Sequence, residues 1–161
     1  MITYCNPKRN DVSYSVVKYM RVVTHGEAET MEFAKSLTDR FSAGTVVCLN
    51  GQPGAGKTHF VKGVLSALGY AGEVTSPTFA VCHRYEKGLP FPVLHYDLYR
   101  IADEDDLCSV GFFEDVNERN CVFIEWSALA DAYLEAEPIR INIEYGNAPD
   151  ERIITAEGHG L

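Results

Sequence analysis

The 161-residue sequence has no apolar stretch near the roughly 18 to 20 residues that a membrane-spanning helix needs, and no apolar secretory segment near its N-terminus. These two absences predict a cytoplasmic protein without a membrane partner. Basic residues are also few, with 14 Lys and Arg against 23 Asp and Glu. Because a field of negative sign repels nucleic acid, we expect no direct contact of the chain with DNA or tRNA.

Cysteine and histidine groups with metal-ligand spacing are also missing. The five cysteines are odd in number, none belongs to a CxxC pair, and three lie inside apolar runs, as reduced core thiols do. His59, His83 and His95 have no mutual ligand spacing, so packing or surface positions are predicted for them rather than a zinc site. The cysteine pattern favours a reducing compartment.

The composition is that of an ordinary globular protein. Hydrophobic residues make up 46% of the chain, which at this length is enough for one compact domain with its own core. We predict this single domain over residues 24–161. Residues 1–23 show no sustained period and are predicted to be an N-terminal extension or a first strand, near 14–23.

Hydrophobic periodicity and turn signals divide the domain into alternating helices and strands, which predicts an α/β fold with a mainly parallel central sheet flanked by helices. Thr24 and Glu27 have the spacing of a capping box, so the first helix is predicted over about 26–42. The other predicted elements are strands at 45–50, 79–86, 92–97 and 121–126, a helix from Lys57 to Gly69, helical segments near 103–118 and 127–136, and a C-terminal antiparallel hairpin (140–145 with 151–157) at the edge of the sheet.

The stretch "GQPGAGKT" (51–58) matches the phosphate-loop pattern G-x-x-x-x-G-K-[ST] in full, between a predicted strand and a predicted helix. Glycines let the backbone curl so that its amides point at phosphate groups, and the helix N-terminus adds its positive end. Lys57 is predicted to reach the β- and γ-phosphates and Thr58 to bind Mg²⁺. The alternative, a glycine-rich turn that matches by chance, is rare in a chain of this length. The predicted nucleotide-binding residues of the loop are Gly51, Gly54, Ala55, Gly56, Lys57, Thr58 and His59.

Two acidic residues end predicted buried strands: Asp97 follows "PVLHY" and Glu125 follows "CVFI". In a parallel sheet both emerge at the carboxyl edge, beside the loop. The more apolar run before Glu125 favours it as the metal-side acid, and Asp97 is expected closer to the γ-phosphate, orienting water or the metal shell. We therefore predict Lys57, Asp97 and Glu125 as catalytic residues. For either acid, a helix cap or an ion pair with Arg100 is the alternative.

The segment "TSPTF" (75–79) supplies hydroxyl groups that are predicted to sense the γ-phosphate through Ser76 and Thr78. A plain turn that leads into a strand is the alternative. Trp126 directly follows Glu125, so it is predicted either to line the nucleotide site or to pack in the core. The acidic stretch "ADEDDL" (102–107) is predicted to be a solvated helix start.

Several motifs occur in a fixed order and together resemble the bacterial TsaE (YjeE) family. They are Gly51 to Phe60, "SPTF" (76–79), "HYDLYR" (95–100), Leu107 with Gly111 and Phe112, and "IEW" (124–126). The order "SPTF", "DLYR" and "EW" behind a phosphate loop is not shared by P-loop proteins at large. The resemblance covers about residues 24 to 157.

The resemblance implies a P-loop NTPase-like fold and an ATPase component of the machinery that makes threonylcarbamoyladenosine at position 37 of certain tRNAs. It also implies a complex with TsaB and TsaD, in which TsaD carries the transfer chemistry. It implies ATP and Mg²⁺ as cofactors, slow turnover without partners, and contact with tRNA only through the complex. The family's loop lysine and threonine and its two acids map onto Lys57, Thr58, Asp97 and Glu125. The family usually has "GDLGAGKT", so Gln52 and Pro53 depart from its pattern; we expect phosphate binding to survive this change.

Two other functions fit a phosphate loop. A small-molecule kinase would close an arginine-rich lid over the transferred phosphate. The eight arginines are instead scattered, and only Arg84 and Arg100 are near candidate site segments. A nucleotide-dependent switch without productive hydrolysis is the second alternative; its GTPase form would need N-K-x-D, and "NAPD" (147–150) has no lysine.

Overall fold

The computed structural model describes residues 18–159 and residue 161, and within them seven strands form one sheet. The strands are β1 (Lys18–His25), β2 (Val46–Asn50), β3 (Cys82–Tyr85), β4 (Val93–Asp97), β5 (Cys121–Glu125), β6 (Ile139–Tyr145) and β7 (Glu151–Gly158). The α-helices are α1 (Glu27–Ser36), α2 (Lys57–Ala67), α3 (Glu104–Ser109) and α4 (Phe112–Asp115), and Thr38–Arg40 and Ala130–Tyr133 are 3₁₀ helices. Helices lie on both faces, which confirms the predicted α/β class.

The strand order is β1-β7-β6-β2-β5-β4-β3. The central strands β6, β2, β5 and β4 are mutually parallel, so their carboxyl ends meet at one edge of the sheet. The C-terminal hairpin of β6 and β7 forms as predicted, but β1 pairs antiparallel with β7 and is the outermost strand on that side. The strand predicted near 14–23 corresponds to β1, which ends two residues later, at His25. The part of the prediction before residue 18 lies outside the described residues.

The core lies on both faces of the sheet because the central strands are buried on both sides. Phe123 of β5 faces the cluster that α1 and α2 complete, whereas Val122 and Ile124 face the cluster that contains Leu107 of α3 and Phe112 of α4. Every residue of β4 and β5 is buried. A polar residue at the end of either strand is therefore held by a fully packed strand and emerges at the carboxyl edge.

The first helix is shorter than the predicted 26–42, and its predicted capping box is wrong. Thr24 belongs to β1, where its buried hydroxyl lies 3.0 Å from that of Thr30, and Gly26 occupies the N-cap. The helix stops at Ser36 and the chain then tightens into 3₁₀ geometry. This turn brings the extended Phe41 against Phe123, with ring centroids 5.5 Å apart, so tertiary packing overrides the local helical period.

Three other predicted elements are also shorter. The segment near 103–118 forms α3 and α4 because Gly111 adopts a left-handed φ of 73° between them, while Asp103 caps α3 as a solvated acidic start. Only the 3₁₀ helix Ala130–Tyr133 forms in 127–136, and Leu134 after it is already extended, with a φ of −82° and a ψ of 123°. The strand predicted at 79–86 begins at Cys82, after Val81 turns the chain with a φ of 65°.

In the described part of the chain, no helix combines the length and the apolar character needed to cross a membrane.

The cysteines differ sharply in burial, which predicts their reactivity. Burial raises the pKa of the Cys121 thiol to about 12, so almost no thiolate exists at pH 8, whereas Cys108 is exposed on α3. We expect iodoacetamide to label Cys108 in the native protein and Cys121 only in denaturant, as read by peptide mass spectrometry. Equal native labelling rates at the two positions would contradict this assignment.

Candidate functional site

The glycine loop 51–56 connects β2 to α2 at the carboxyl edge of the sheet. Gly51 has a φ of 150°, and a Cβ atom there would lie 2.4 Å from the Ile143 carbonyl oxygen of β6, so only glycine fits this close passage. Gly56, with a φ of 111°, is the N-cap of α2. The first amides of a helix have no carbonyl one turn earlier, so this loop can present N–H groups to an anion.

Lys57, the first residue of α2, bends back over the loop. Its Nζ donates to the carbonyl oxygens of Gly51 at 2.9 Å and Gln52 at 3.2 Å. The same Nζ lies 3.4 Å from Glu125 Oε2 and 5.5 Å from the centroid of the Trp126 ring. The Lys57 side chain is only 5% exposed, so this cation stands between the loop and the end of β5.

The two predicted acids lie side by side, because Asp97 and Glu125 are register partners at the ends of β4 and β5. Asp97 Oδ2 accepts a hydrogen bond from Thr78 Oγ1 at 2.6 Å, and Oδ1 accepts one from the Tyr99 amide at 3.0 Å. Together with one lysine, the two carboxylates leave the site with a net negative charge. Carboxylate and hydroxyl oxygens are also the ligands that a hard cation such as Mg²⁺ prefers.

A cavity of about 430 Å³ opens between the loop and these acids. It brings together most of the residues predicted from the sequence. Its lining consists of Pro53, Gly54, Gly56, Lys57, Thr58, His59, Ser76, Thr78, Asp97, Tyr99, Glu125 and Trp126. Two predicted residues are not part of this lining: Gly51 lines a neighbouring cavity, and the side chain of Ala55, within the loop, is buried in the core.

Exposed aromatic side chains lie at the cavity and next to it, since Tyr99 and Trp126 line it and Phe79 directly follows the lining residue Thr78. Phe79 is 88% exposed, Tyr99 63% and Trp126 39%, and we call these three residues the aromatic rim. The Tyr99 and Trp126 ring centroids are 5.0 Å apart, and the Arg100 guanidinium lies 5.0 Å from the Phe79 ring. Of the two predicted positions for Trp126, the structure therefore supports the site rather than the core.

Backbone strain is concentrated next to the same cavity. Among the described non-glycine residues, only Val81 and Trp126 have positive φ, at 65° and 59°. For a β-branched or bulky side chain this conformation costs on the order of 1–3 kcal/mol. Trp126 follows Glu125, and the carbonyl of Val81 accepts from the Asp97 amide at 2.9 Å, so the strain is adjacent to both acids.

Three residues that the sequence analysis did not assign to the site support it. The Tyr145 hydroxyl donates to the Pro53 carbonyl at 2.8 Å, and Arg152 Nε donates to the Ala55 carbonyl at 3.0 Å. The first contact spans 92 positions of the sequence and the second spans 97, so no local sequence pattern could have predicted either of them. His95, predicted to be a packing residue, is buried but also lies against Glu125.

A strand, a glycine loop and a helix, with acids at the ends of neighbouring parallel strands, define the class of P-loop NTPase-like α/β proteins. The sequence model of the TsaE family, threonylcarbamoyl adenosine biosynthesis protein TsaE, matches residues 24–154. The chain therefore belongs to the TsaE family, as its motifs predicted.

Individual relatives agree with this assignment. The chain is 35% identical over 124 residues to the tRNA threonylcarbamoyladenosine biosynthesis protein TsaE of Rickettsia felis, covering 76% of this chain and 71% of the relative. It is 34% identical over 139 residues to the protein of the same name in Bacillus subtilis, covering 86% and 85%. A crystal structure of Bacillus subtilis YdiB superposes with a TM-score of 0.69 at 33% identity, covering 90% of this chain and 88% of YdiB.

Proposed function

We propose that this protein is a Mg²⁺-dependent ATPase of the machinery that makes threonylcarbamoyladenosine at position 37 of tRNA. The observation that carries the proposal is the position of the Lys57 ammonium group, between the carbonyls of the glycine loop and the Glu125 carboxylate. An ammonium group in this place can move to a phosphate oxygen without leaving the loop. The free first amides of α2 favour the same ligand.

The groups that line the cavity fit both Mg²⁺ and a triphosphate: carboxylate and hydroxyl oxygens are suitable metal ligands, and the lysine and loop amides suit phosphate. In the proposed mechanism Lys57 binds the β- and γ-phosphates, Thr58 and Glu125 hold the metal, and Asp97 orients water or the metal shell. When bound, Mg²⁺ would supply positive charge that neutralises the phosphate groups. The packed strands β4 and β5 hold both acids in place before the ligand arrives, which reduces reorganisation during the reaction.

The segment 75–79 is proposed as the part that senses the nucleotide. Thr78 donates to Asp97, and the Ser76 and Thr78 hydroxyl oxygens are 2.7 Å apart. If Asp97 turns toward the metal shell, Thr78 must find another acceptor. Phe79, the next residue, is 88% exposed, so a shift here would change the surface that a partner meets.

TsaB and TsaD are the proposed partners, and the cytoplasm is the proposed compartment. The names of the relatives in Rickettsia felis and Bacillus subtilis support the tRNA modification pathway. The formal net charge of −9 favours contact with tRNA through partner proteins rather than directly. The aromatic rim offers the large, rigid side chains that protein interfaces favour, at the mouth of the nucleotide cavity.

Phosphate release in a reconstituted mixture tests this function. Co-purification first establishes whether the three proteins form a complex. Phosphate release from ATP with Mg²⁺ is then measured for this protein alone, for TsaB with TsaD, and for all three together. We expect the ternary mixture to release phosphate faster than the sum of the other two. Absence of ATP and ADP binding by calorimetry, or an equal rate with and without this protein, would contradict the proposal.

The kinase alternative receives no support from the arginines near the site. Arg84 pairs with Glu86 and with Asp115, and Arg100 lies over Phe79. Neither lines the cavity of about 430 Å³. A phosphorylated acceptor formed by the purified protein alone would favour the kinase, and partner binding without turnover would favour the switch.

Trp126 gives a direct optical test of nucleotide binding, because it is the chain's single tryptophan and it lines the cavity. We expect MgADP to change its fluorescence intensity in a saturable titration. The Lys57→Ala variant is the matched control and should show no change at the same concentrations. A wild-type signal that stays constant while calorimetry detects binding would place the nucleotide away from Trp126.

A further inference from the structure

His95 is a buried polar residue for which the proposed mechanism has no role so far. It lies in the interior of β4, two residues before Asp97, and is 0% exposed. Because side chains two residues apart share one face of a strand, His95 lies behind the acids, on the face covered by α1 and α2. Its Nε2 is 2.9 Å from Glu125 Oε1.

The two ring nitrogens of His95 have different surroundings. A carboxylate oxygen accepts hydrogen bonds, so Nε2 carries the hydrogen that is donated to Glu125. Nδ1 is buried and has no hydrogen-bond partner among the described residues. Burying an unpaired polar atom costs free energy, so a residue needed only for packing would be apolar at this position. The bond to Glu125 is therefore the feature that requires a histidine here.

The contacts of Glu125 divide between its two oxygens. Oε1 accepts from His95, whereas Oε2 is 3.4 Å from Lys57 Nζ. In the proposed function Lys57 turns to the phosphates, and Oε2 then loses that partner. The bond from His95 is the one that does not depend on the ligand, because β4 and β5 are paired along their full length and hold both residues.

We propose that His95 is a positioning residue that fixes the plane of the Glu125 carboxylate and keeps Oε2 directed into the cavity. The inference rests on the proposed function, since it explains how Glu125 stays oriented after Lys57 engages the nucleotide. Groups that hold a metal-binding side chain in place commonly contribute about 10- to 100-fold to metal affinity or activity. His95 thus acts through Glu125 and does not touch the substrate.

Two amide substitutions separate positioning from packing. In His95→Gln the amide nitrogen reaches the place of Nε2, whereas in His95→Asn it reaches only the place of Nδ1. We expect the Gln variant, assayed with TsaB and TsaD, to keep kcat within about threefold of wild type. The Asn variant should lose about 10- to 100-fold in kcat, with KM for ATP changed by less than about threefold.

The Mg²⁺ requirement provides a readout that does not depend on turnover. With Trp126 fluorescence as the probe of ADP binding, His95→Asn should need about 10-fold more Mg²⁺ for half-maximal binding, and His95→Gln should not. His159→Asn is the matched control, because His159 lies just after β7 and pairs with Glu137, and neither residue lines the cavity. This control should leave both readouts unchanged.

Crystal structures of the two nucleotide-free variants complete the test, each combined with Lys57→Ala so that the ligand-dependent partner of Glu125 is removed. We expect Glu125 to keep its orientation in His95→Gln and to rotate in His95→Asn. The proposal is wrong if both variants are equally impaired, if Asn performs as well as Gln, or if Glu125 keeps one orientation in both. A wild-type protein that neither binds nor hydrolyses ATP would instead overturn the proposed function, and the Glu125 orientation would still decide the role of His95.

Discussion

Replacing Lys57 with alanine is expected to abolish detectable ATP hydrolysis and to weaken ATP binding by at least about 100-fold. The reason is that a charge-assisted hydrogen bond contributes roughly 1.5–3 kcal/mol, and the lysine is expected to make more than one such bond to phosphate. Every 1.4 kcal/mol corresponds to about a factor of ten in affinity. Calorimetric titration with ATP and Mg²⁺ measures the loss, and phosphate release in the presence of TsaB and TsaD measures activity.

Lys62→Ala is the matched control for this prediction, since Lys62 is an exposed lysine on the same helix, α2. It should bind and hydrolyse ATP like the wild type. Thermal unfolding of both variants checks that the fold is kept, because Lys57 also neutralises the buried Glu125 carboxylate. A Lys57→Ala protein that is folded and binds ATP within about threefold of wild type would exclude the loop as the phosphate site.

Substitution of Glu125 separates hydrolysis from binding. Glu125→Ala and Glu125→Gln should each lower kcat by at least about 100-fold, because both remove the carboxylate that is proposed to hold the metal, and preorganised charge is usually the largest contribution to transition-state stabilisation. ATP binding should remain measurable, since Lys57 and the loop amides are intact. Gln is the more informative variant because it keeps the side-chain volume and still accepts a hydrogen bond from His95.

Glu118→Gln serves as the control, because Glu118 is an exposed acid beside Gly44, at the opposite end of β2 from the loop. It should match the wild type in both assays. If Glu125→Gln hydrolyses ATP at the wild-type rate with partners present, Glu125 is not the metal-side acid. Asp97→Asn then becomes the next variant to measure, since Asp97 is the register partner of Glu125.

The position of the glycine loop and that of the two acids could be predicted from sequence because each depends on short-range patterns. The glycine spacing of 51–56 is contiguous, and Asp97 and Glu125 each end an apolar run whose burial on both faces follows from its composition. Parallel pairing then brings the two acids together without further information. The adjacency of Asp97 and Glu125 in register is the expected result of that pairing.

Element boundaries were predicted less well, for a different reason. The apolar stripe of 26–42 is helical in period, yet Phe41 is more stable against Phe123 than at the end of a continued helix. Thr24, which was predicted to cap the first helix, is instead a strand residue, because β1 pairs with β7 as far as His25. In both places, contacts with distant parts of the chain outweigh the local preference, which is worth less than about 1 kcal/mol per residue.

The sequence by itself determined the fold class, the family, the glycine loop between a strand and a helix, and the identity of the two facing acids, because local periodicity and contiguous motifs encode them. Only the tertiary structure decided which side chains hold those groups in place. His95 is 30 residues from Glu125, and Tyr145 and Arg152 brace the loop from more than 90 residues away. Such contacts depend on strand order and register, which are set when the whole sheet packs and leave no trace in the spacing of neighbouring residues.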